Sequence, residues 1–342
     1  MNIINKPRPK EKRKAFKTLL IIFCVLLALL IGCGVYVWVN YEKITGDLGF
    51  DPNDIAEEDD EDLGDYPTVT YSGGEVSELI KSQGNIDILL VGVDNRNVSK
   101  FTGLSDVLMY LRIDTNTGEL KLASIMRDTL VPIEGHDYNK INTAFNYGNI
   151  DLTKKTLKTT LGLIPDYYIV VNFYGMEDII NALDGVDIKL SDAEVSHMNG
   201  SIQEINEHDP DNSVSLVEDS GVQHLNGRQA VAYMRIRKVG TDIARIERQQ
   251  NVLSQLFSKA KDVNIGQLPG LIDTMSNYVR TDIKPASKMI DIASTIMGLK
   301  TSEIEKFRYP DDYEYGSYKS KDIVQPKDFK IEIKKLHNFL EE

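Results

Sequence analysis

The chain has 342 residues, enough for one large or two ordinary domains, and a formal net charge of −13. Its first 17 residues hold seven basic residues and one glutamate, a net +6, which leaves −19 for the remainder. An acidic body of this kind argues against a nucleic-acid binder, because phosphate backbones bind to basic surfaces.

The N-terminal apolar segment predicts a membrane anchor. Leu19 to Val39 contains 21 residues and no charge, which is long enough to cross a hydrocarbon core of ~30 Å. Basic residues precede it and acidic residues follow it, so we expect a cytoplasmic N-terminus and an extracellular body. A lipoprotein signal at Cys33 is the alternative, which the apolar run beyond that cysteine disfavours.

The anchor divides the chain into four predicted parts. Residues 1–17 form a basic cytoplasmic tail, 18–39 a transmembrane helix, 40–70 an acidic spacer and 71–342 the extracellular domain. The spacer is predicted to be disordered because nine carboxylates lie between Asp51 and Asp65 with little apolar surface to bury. Both cysteines, Cys24 and Cys33, lie in the anchor, so the exported part must be stable without disulfides.

The first half of the domain predicts three neighbouring strands. Apolar or alternating runs give the strands Ile86–Val93, Val107–Ile113 and Glu119–Ile125. If they form an up-down-up meander, the end of the first, the start of the second and the end of the third share one edge of the sheet. Asp94, Asp106 and Arg127 are then expected to converge there.

The later segments alternate between helix and strand patterns. Helices are predicted over Leu152–Leu161, Met176–Leu183, Asn226–Tyr233, Thr241–Lys261, Ile265–Ser276, Ala286–Leu299 and Phe329–Leu340. Strands are predicted over Asp166–Phe173, Val186–Leu190 and Glu303–Tyr309, and the polar stretch Ser191–Ser220 is predicted as a surface loop or lid. This alternation predicts an α/β fold with a central mixed sheet flanked by helices and preceded by the single transmembrane helix.

The stretch Tyr233–Gln250 concentrates basic side chains in this acidic body. Arg235 and Arg237 are two residues apart, so an extended segment would point both the same way. Asp242, Arg245, Arg248 and Gln249 have a spacing that predicts one helix face. Guanidinium groups bind planar oxyanions through paired hydrogen bonds. Surface ion pairs on a solvated helix face are the alternative interpretation.

Two carboxylates at one sheet edge suit a hard divalent cation, most simply Mg²⁺. Taken singly, Asp94 and Asp106 are also typical of turns and strand caps. The five histidines show no metal-ligand spacing, and the sequence has no nucleophile-elbow serine and no nucleotide-type phosphate loop. The apolar helices near Val252–Phe257 and Ala286–Leu299 suit either a lipid slot or an ordinary core.

Several ordered motifs resemble the LytR–CpsA–Psr family of Gram-positive cell-envelope proteins. They include ILLVGVDNR, KINTAFNYG, GVQHLNGRQAVAYMRIRK and DIARIERQQ, within a similarity that runs from Asn85 to Gln250. The resemblance implies transfer of an anionic glycopolymer, such as wall teichoic acid or capsular polysaccharide, from undecaprenyl pyrophosphate to peptidoglycan. The product would be a phosphodiester link, formed with Mg²⁺ or with Mn²⁺ in its place.

The resemblance also implies roles for single residues. Asp94 and Asp106 match the metal-binding aspartates, and Asp94 and Arg127 are the expected catalytic residues. The matches to pyrophosphate-binding positions are Arg127, Lys140, Arg235, Arg237, Arg245 and Gln249; Arg96, Asp242 and Arg248 lie in the same motifs. Two alternatives use the same residues: a polyprenyl-pyrophosphate pyrophosphatase, and a non-enzymatic envelope regulator that only binds the lipid.

Overall fold

A computed structural model of the chain describes residues 40–50, 67–71, 73, 76, 78–80, 84–93, 101–240, 242–262, 276–299 and 303–342. The strands are β1 (Asn85–Val93), β2 (Ser105–Asp114), β3 (Leu120–Ile125), β4 (Leu130–Pro132), β5 (Tyr138–Lys140), β6 (Tyr167–Asn172), β7 (Val186–Leu190), β8 (Gly221–Leu225), β9 (Val279–Thr281), β10 (Ile304–Tyr309), β11 (Tyr313–Tyr318) and β12 (Lys321–Pro326). Six of them form the central sheet in the order β10-β3-β2-β1-β6-β9.

The predicted meander is the middle of this sheet. β2 pairs antiparallel with both β1 and β3. β6 joins β1 in parallel, and β10 joins β3 in parallel at the outer edge, so the sheet is mixed, as the alternating pattern predicted. Asp114 accepts hydrogen bonds from two backbone amides in the β2–β3 turn, which is what makes aspartate favourable at that position.

Helices cover both faces of the sheet. They are α1 (Thr143–Leu161), α2 (Phe173–Ala182), α3 (Asp192–His208), α4 (Gly227–Met234), α5 (Asp242–Asp262), α6 (Ala286–Gly298) and α7 (Phe329–Glu341). On one face, Leu89 and Val91 pack with residues of α1 and α7. On the other face, Ile86 and Ile88 pack with residues of α5 and α6. This alternation along β1 gives three layers, which confirms the predicted helix–sheet–helix class.

The apolar side chains of α5 and α6 belong to the second of these cores. Leu253 and Phe257 of α5 pack with Ile292 and Ile296 of α6 and with the sheet. Of the two interpretations, a lipid slot or an ordinary core, these contacts agree with the ordinary core. The predicted helix Ile265–Ser276, which separates them in sequence, lies outside the described residues apart from Ser276.

A smaller core forms where a loop was predicted. The stretch Ser191–Ser220 contains the 17-residue helix α3, so the prediction of a surface loop or lid was wrong. Ser191 and Glu194 form a capping box at its start. Val195, Met198 and Ile202 are buried against α2, α4 and β7. These three apolar residues are enough to hold the helix in place, because α2, α4 and β7 supply the other apolar side chains of this core.

The ends of the predicted spacer are ordered. Residues 40–44 are helical, with Asn40 and Ile44 buried, and Leu48 belongs to the main core. At the other end, residues Pro67 and Val69 exchange backbone hydrogen bonds with Ser317 of β11. Residues 51–66 and the predicted anchor Leu19–Val39 lie outside the described residues. Within the described ranges, no helix has the length and apolar character to span a membrane.

Candidate functional site

Buried ion pairs join the start of β2 to the end of β3. An Arg127 Nη atom lies 2.6 Å from the Asp106 carboxylate, and Arg127 Nε lies 3.2 Å from Asp128. Lys140 Nζ lies 3.4 Å from the other oxygen of Asp128. The Arg127 and Lys140 side chains are 7% and 5% exposed. The predicted convergence of Asp106 and Arg127 is therefore observed, and Asp128 connects Lys140 to them.

Backbone hydrogen bonds hold these residues together. The Asn142 amide donates to the Arg127 carbonyl, and the Ile141 amide donates to the Thr129 carbonyl. The β4–β5 hairpin thus returns the chain to the end of β3 and places Lys140 beside Asp128. On the far side, the Val324 amide of β12 donates to the Asp128 carbonyl. Asp128 is consequently held from two sides, and its bridging role was not evident from the Arg-Asp pair in the sequence.

Helix α5 forms the second wall of a narrow cleft. Arg245 and Gln249 line it together with Asp106 and Arg127. The enclosed space is about 10 Å³, close to the minimum that one water molecule requires. Arg245 is 7% exposed. Two of the predicted pyrophosphate ligands from α5 thus face the acidic edge of the sheet.

Gln250 attaches α5 to the sheet edge. Its buried amide donates to Ser124 Oγ at 2.9 Å and to the Phe307 carbonyl at 3.3 Å. Met126 and Ile246 pack with Val324 in a small apolar cluster beside this contact. These contacts set the distance between Arg245 and Arg127. The sequence pattern did not indicate this role for Gln250, although the residue lies beside Gln249 in the same helical motif.

Arg248 occupies a different face of the helix from Arg245 and Gln249. Its side chain is 4% exposed and donates to Glu194 at 3.0 Å and to the Ile236 carbonyl at 2.8 Å. It also donates to the Val239 carbonyl. A single helix face was predicted for Asp242, Arg245, Arg248 and Gln249. This prediction is wrong for Arg248, because its three acceptors lie on α3 and on the loop after α4.

The Glu194 carboxylate is stabilised in its charged form. Burial alone would raise its pKa, but hydrogen bonds from the Ser191 amide and hydroxyl and from Arg248 outweigh burial. The net result is a lowered pKa of Glu194. A charged Glu194 therefore holds the buried Arg248 guanidinium, which in turn holds the backbone of residues 236–239.

Arg235 lies at the end of α4 and Arg237 in the loop that follows, and neither residue lines the cleft. Arg235 is the C-cap of α4 with φ −86° and ψ −7°, a right-handed helical conformation. The prediction that both arginines belong to an extended segment is thus wrong for Arg235, because the capped helix α4 continues to Met234. Arg235 is half-buried and Arg237 is exposed, with Ile236 buried between them.

The predicted metal site is described only in part. Asp94 and Arg96 lie outside the described residues, and so does the side chain of Asp242. Val93, which precedes Asp94, pairs with Ser105, which precedes Asp106, so the chain leaves β1 beside Asp106. Among the described residues, no three His, Cys, Asp or Glu side chains cluster as a ligand group. The Asp106 carboxylate, 18% exposed on the cleft wall, has the oxygen chemistry that Mg²⁺ requires.

Comparison with known proteins identifies the relatives of this chain. The LytR_cpsA_psr family model matches residues 52–337. The polyisoprenyl-teichoic acid–peptidoglycan teichoic acid transferase TagT of Bacillus subtilis is 29% identical over 240 residues, which is 68% of this chain and 72% of TagT. The regulatory protein MsrR of Staphylococcus aureus is 31% identical over 210 residues, which is 60% of this chain and 58% of MsrR.

The fold is also similar to solved structures. A structure of TagT bound to LI-WTA superposes with a TM-score of 0.61 at 25% sequence identity. The superposition covers 80% of this chain and 97% of the TagT chain. The central mixed sheet and its flanking helices are therefore shared with that protein.

Proposed function

Because the chain belongs to the LytR–CpsA–Psr family, we propose that it transfers an anionic glycopolymer from undecaprenyl pyrophosphate to a sugar hydroxyl of peptidoglycan. The product is a phosphodiester link between polymer and wall. Support comes from TagT, a teichoic acid transferase by name, which is 29% identical to this chain. The polymer is an anionic glycopolymer such as wall teichoic acid or capsular polysaccharide.

The observation that carries the proposal is the cleft between the β2–β3 edge and α5. It places the Arg127 and Arg245 guanidinium groups and the Gln249 amide around one small space. Carboxylates hold Arg127 and Lys140 in position before any substrate binds. Donors that are already oriented stabilise developing charge without the cost of reorganisation during the reaction. Phosphoryl transfer depends on such positioning and charge stabilisation.

The reaction that suits these groups is an in-line displacement at phosphorus. The oxygen of the acceptor hydroxyl forms a bond to the polymer-proximal phosphorus, and the bond from that phosphorus to the bridging oxygen breaks. Undecaprenyl phosphate leaves with the bridging oxygen and its electron pair, and the hydroxyl proton passes to a carboxylate base. Arg127 and Arg245 donate to the phosphoryl oxygens, and Asp94 is the predicted base.

Asp106 is the described residue that would hold Mg²⁺. Asp94 is its predicted co-ligand in place of the base role, because a carboxylate bound tightly to the cation does not also take the hydroxyl proton. When bound, the cation neutralises charge on the phosphoryl oxygens. Lys140 forms an ion pair with Asp128, which also pairs with Arg127.

The proposal includes an extracellular location. A cytoplasmic tail over residues 1–17, a membrane-spanning helix over 18–39 and an acidic linker would place the folded body outside the membrane. Leu48, nine residues after the predicted helix, belongs to the main core, so the folded body would lie close to the bilayer and to the membrane-embedded carrier.

Product analysis tests the proposal. The full chain in detergent is incubated with Mg²⁺, peptidoglycan and a polyprenyl-pyrophosphate-linked polymer labelled in its sugars. Label that becomes covalently attached to peptidoglycan, and that is lost in an Arg127→Ala variant, is the expected result. Label released as free polymer would instead identify a pyrophosphatase that uses water as the acceptor.

MsrR gives a specific reason to retain a second candidate function, since that relative is named a regulatory protein. A regulator would bind the lipid-linked polymer without turnover. In that case Arg127→Ala and Arg245→Ala would weaken binding, and neither attached nor released label would appear with the wild-type chain. Binding measured by sedimentation beside the product assay separates the three outcomes.

A further inference from the structure

A second groove lies beside the β4–β5 hairpin and is lined by aromatic rings. Its volume is about 170 Å³, roughly ten times the minimum space that one water requires. Tyr138 and Tyr318 meet edge to face, with ring centroids 6.2 Å apart. His136 stacks on Tyr147 at 4.3 Å and 15°. Tyr138 is 39% exposed and His136 is exposed, whereas Tyr318 and Tyr147 are half-buried and Tyr147 packs against the main core.

Polar groups stand at the edges of these rings. The Asn139 amide nitrogen donates to the Tyr147 hydroxyl at 2.9 Å. Asp137 forms an ion pair with Lys319 and accepts from the Tyr318 hydroxyl at 3.5 Å. The Lys319 ammonium also lies 5.6 Å from the Tyr318 ring centroid. Apolar ring faces bordered by hydroxyl, amide and carboxylate groups match a pyranose, which has apolar C–H faces and hydroxyl groups around its edge.

The groove adjoins the candidate site through Asn139. The Lys140 amide donates to the Asn139 side-chain oxygen at 2.9 Å, and Lys140 belongs to the ion-pair cluster with Asp128. Tyr138 and Lys140 are two residues apart on β5, a separation of ~7 Å along a strand. A sugar chain in the groove would therefore end close to the cleft.

Charged side chains line the groove beside the rings. They are Asp137, Lys319 and Lys321, and Lys319 is paired with Asp137. An uncharged glycan backbone would use the ring faces and the hydrogen-bonding groups rather than this charge.

We propose that this groove binds the glycan strand of the acceptor and directs its sugar hydroxyl toward the cleft. The acceptor role rests on the proposed function; sugar binding in the groove rests on the rings themselves. The acceptor then enters from the β4–β5 side, and the pyrophosphate of the lipid-linked donor contacts Arg127 and Arg245.

Binding of a soluble probe tests the groove without turnover. Oligomers of β-1,4-linked N-acetylglucosamine are titrated by calorimetry into the full chain in detergent. Tyr138→Ala is expected to weaken binding by about 2- to 10-fold, the range for one lost aromatic contact. Tyr138→Phe, which keeps the ring, is expected to bind as tightly as the wild type. The exposed Val222, 71% exposed on β8, supplies the control Val222→Ala, which should not change binding.

Transfer kinetics test the proposed role of the groove separately from the proposed function. In the transfer assay, Tyr138→Ala should raise the KM for the acceptor and leave the KM for the donor unchanged. Tyr318→Ala should do the same, and unchanged thermal unfolding shows that both variants fold. If both variants kept the wild-type probe affinity and acceptor KM, the proposed sugar binding in the groove would be contradicted. A rise in the donor KM alone would contradict it as well. If the wild type binds the probe through Tyr138 but never transfers polymer, the proposed function fails and sugar binding in the groove stands.

Discussion

Replacing Arg248 tests whether a buried arginine positions the loop that carries Arg235 and Arg237. In Arg248→Met, Glu194 loses its cationic partner, and the Ile236 and Val239 carbonyls lose their donor. Methionine fills a similar apolar volume, so the change removes the hydrogen bonds with little loss of packing. The loop is then expected to move relative to α5.

The expected loss of unfolding free energy in Arg248→Met follows from the burial of its ion pair with Glu194. A hydrogen bond to a charged group contributes about 1.5–3 kcal/mol, and breaking a buried ion pair costs about 3–5 kcal/mol. Glu194 remains 16% exposed and keeps its hydrogen bonds to Ser191, so we expect the low end, ~3 kcal/mol of unfolding free energy. Arg235 and Arg237 are predicted pyrophosphate ligands, and misplacement of such groups by ~1 Å lowers kcat/KM by about 100-fold, so the prediction implies an effect of that order on transfer.

Denaturant unfolding and the polymer-transfer assay measure the two effects on the same preparations. Arg248→Lys should be intermediate, because one ammonium group cannot make the divergent contacts of a guanidinium. Glu247→Gln changes an exposed neighbour on the same helix and should match the wild type in both measurements. Arg248→Met with wild-type stability and wild-type transfer would refute the positioning role.

Three further predictions concern the cleft, the core and pH. Gln249→Ala should raise the donor KM roughly tenfold, as expected for one lost hydrogen bond to a charged group, with unchanged unfolding; an unchanged KM would remove Gln249 from the site. Arg112→Met leaves the fully buried Asp87 without its bidentate partner and should cost about 3–5 kcal/mol of unfolding free energy; a loss below 1 kcal/mol would contradict this reasoning. The pKa of Glu194 is lowered by folding, so its contribution is present above the unfolded value of about 4.3 and is lost as pH falls through the folded pKa. The stability difference between wild type and Glu194→Gln, measured by thermal melts, should therefore shrink below about pH 4 and stay constant from about pH 6 to 8; a difference that instead grows on acidification would reverse the assigned sign.

The sheet could be predicted from the sequence because its signals are local. The apolar run of β1 and the Asp114–Gly118 turn determine the meander, and pairing of consecutive strands follows from short connections. The contact between Asp106 and Arg127 was a consequence of that topology. The pairing of β7 with β8 was not predictable, because 30 residues and the whole of α3 separate Leu190 from Gly221.

The errors arose where two local patterns compete. Arg235-Ile236-Arg237 has the two-residue period of a strand, but the capping box at Asn226 starts a helix that continues into it. Helix α3 has few apolar residues, although the Ser191–Glu194 capping box was readable in the sequence. The hairpin between β11 and β12 turns through Lys319 and Ser320, both at positive φ, where the usual glycine or asparagine signal is missing.

The roles of Gln250 and Arg248 could not be read from spacing alone, whereas the spacing did place Gln249 on the same face as Arg245. Residues 245, 248, 249 and 250 lie on adjoining faces of one helix, and a shift of one residue decides whether a side chain meets the cleft, the sheet or the loop. Gln249 lines the cleft, while Gln250 binds Ser124. Only the packing of α5 against β3 and β10 makes that distinction.

A structure of the full chain with polyprenyl pyrophosphate and Mg²⁺ would test the central claim most directly. We expect the pyrophosphate oxygens within hydrogen-bonding distance, ~3 Å, of the guanidinium groups of Arg127 and Arg245 and of the Gln249 amide, with the cation on Asp106. A pyrophosphate group bound away from the space between β3 and α5, with these side chains unchanged, would contradict the assignment of the site.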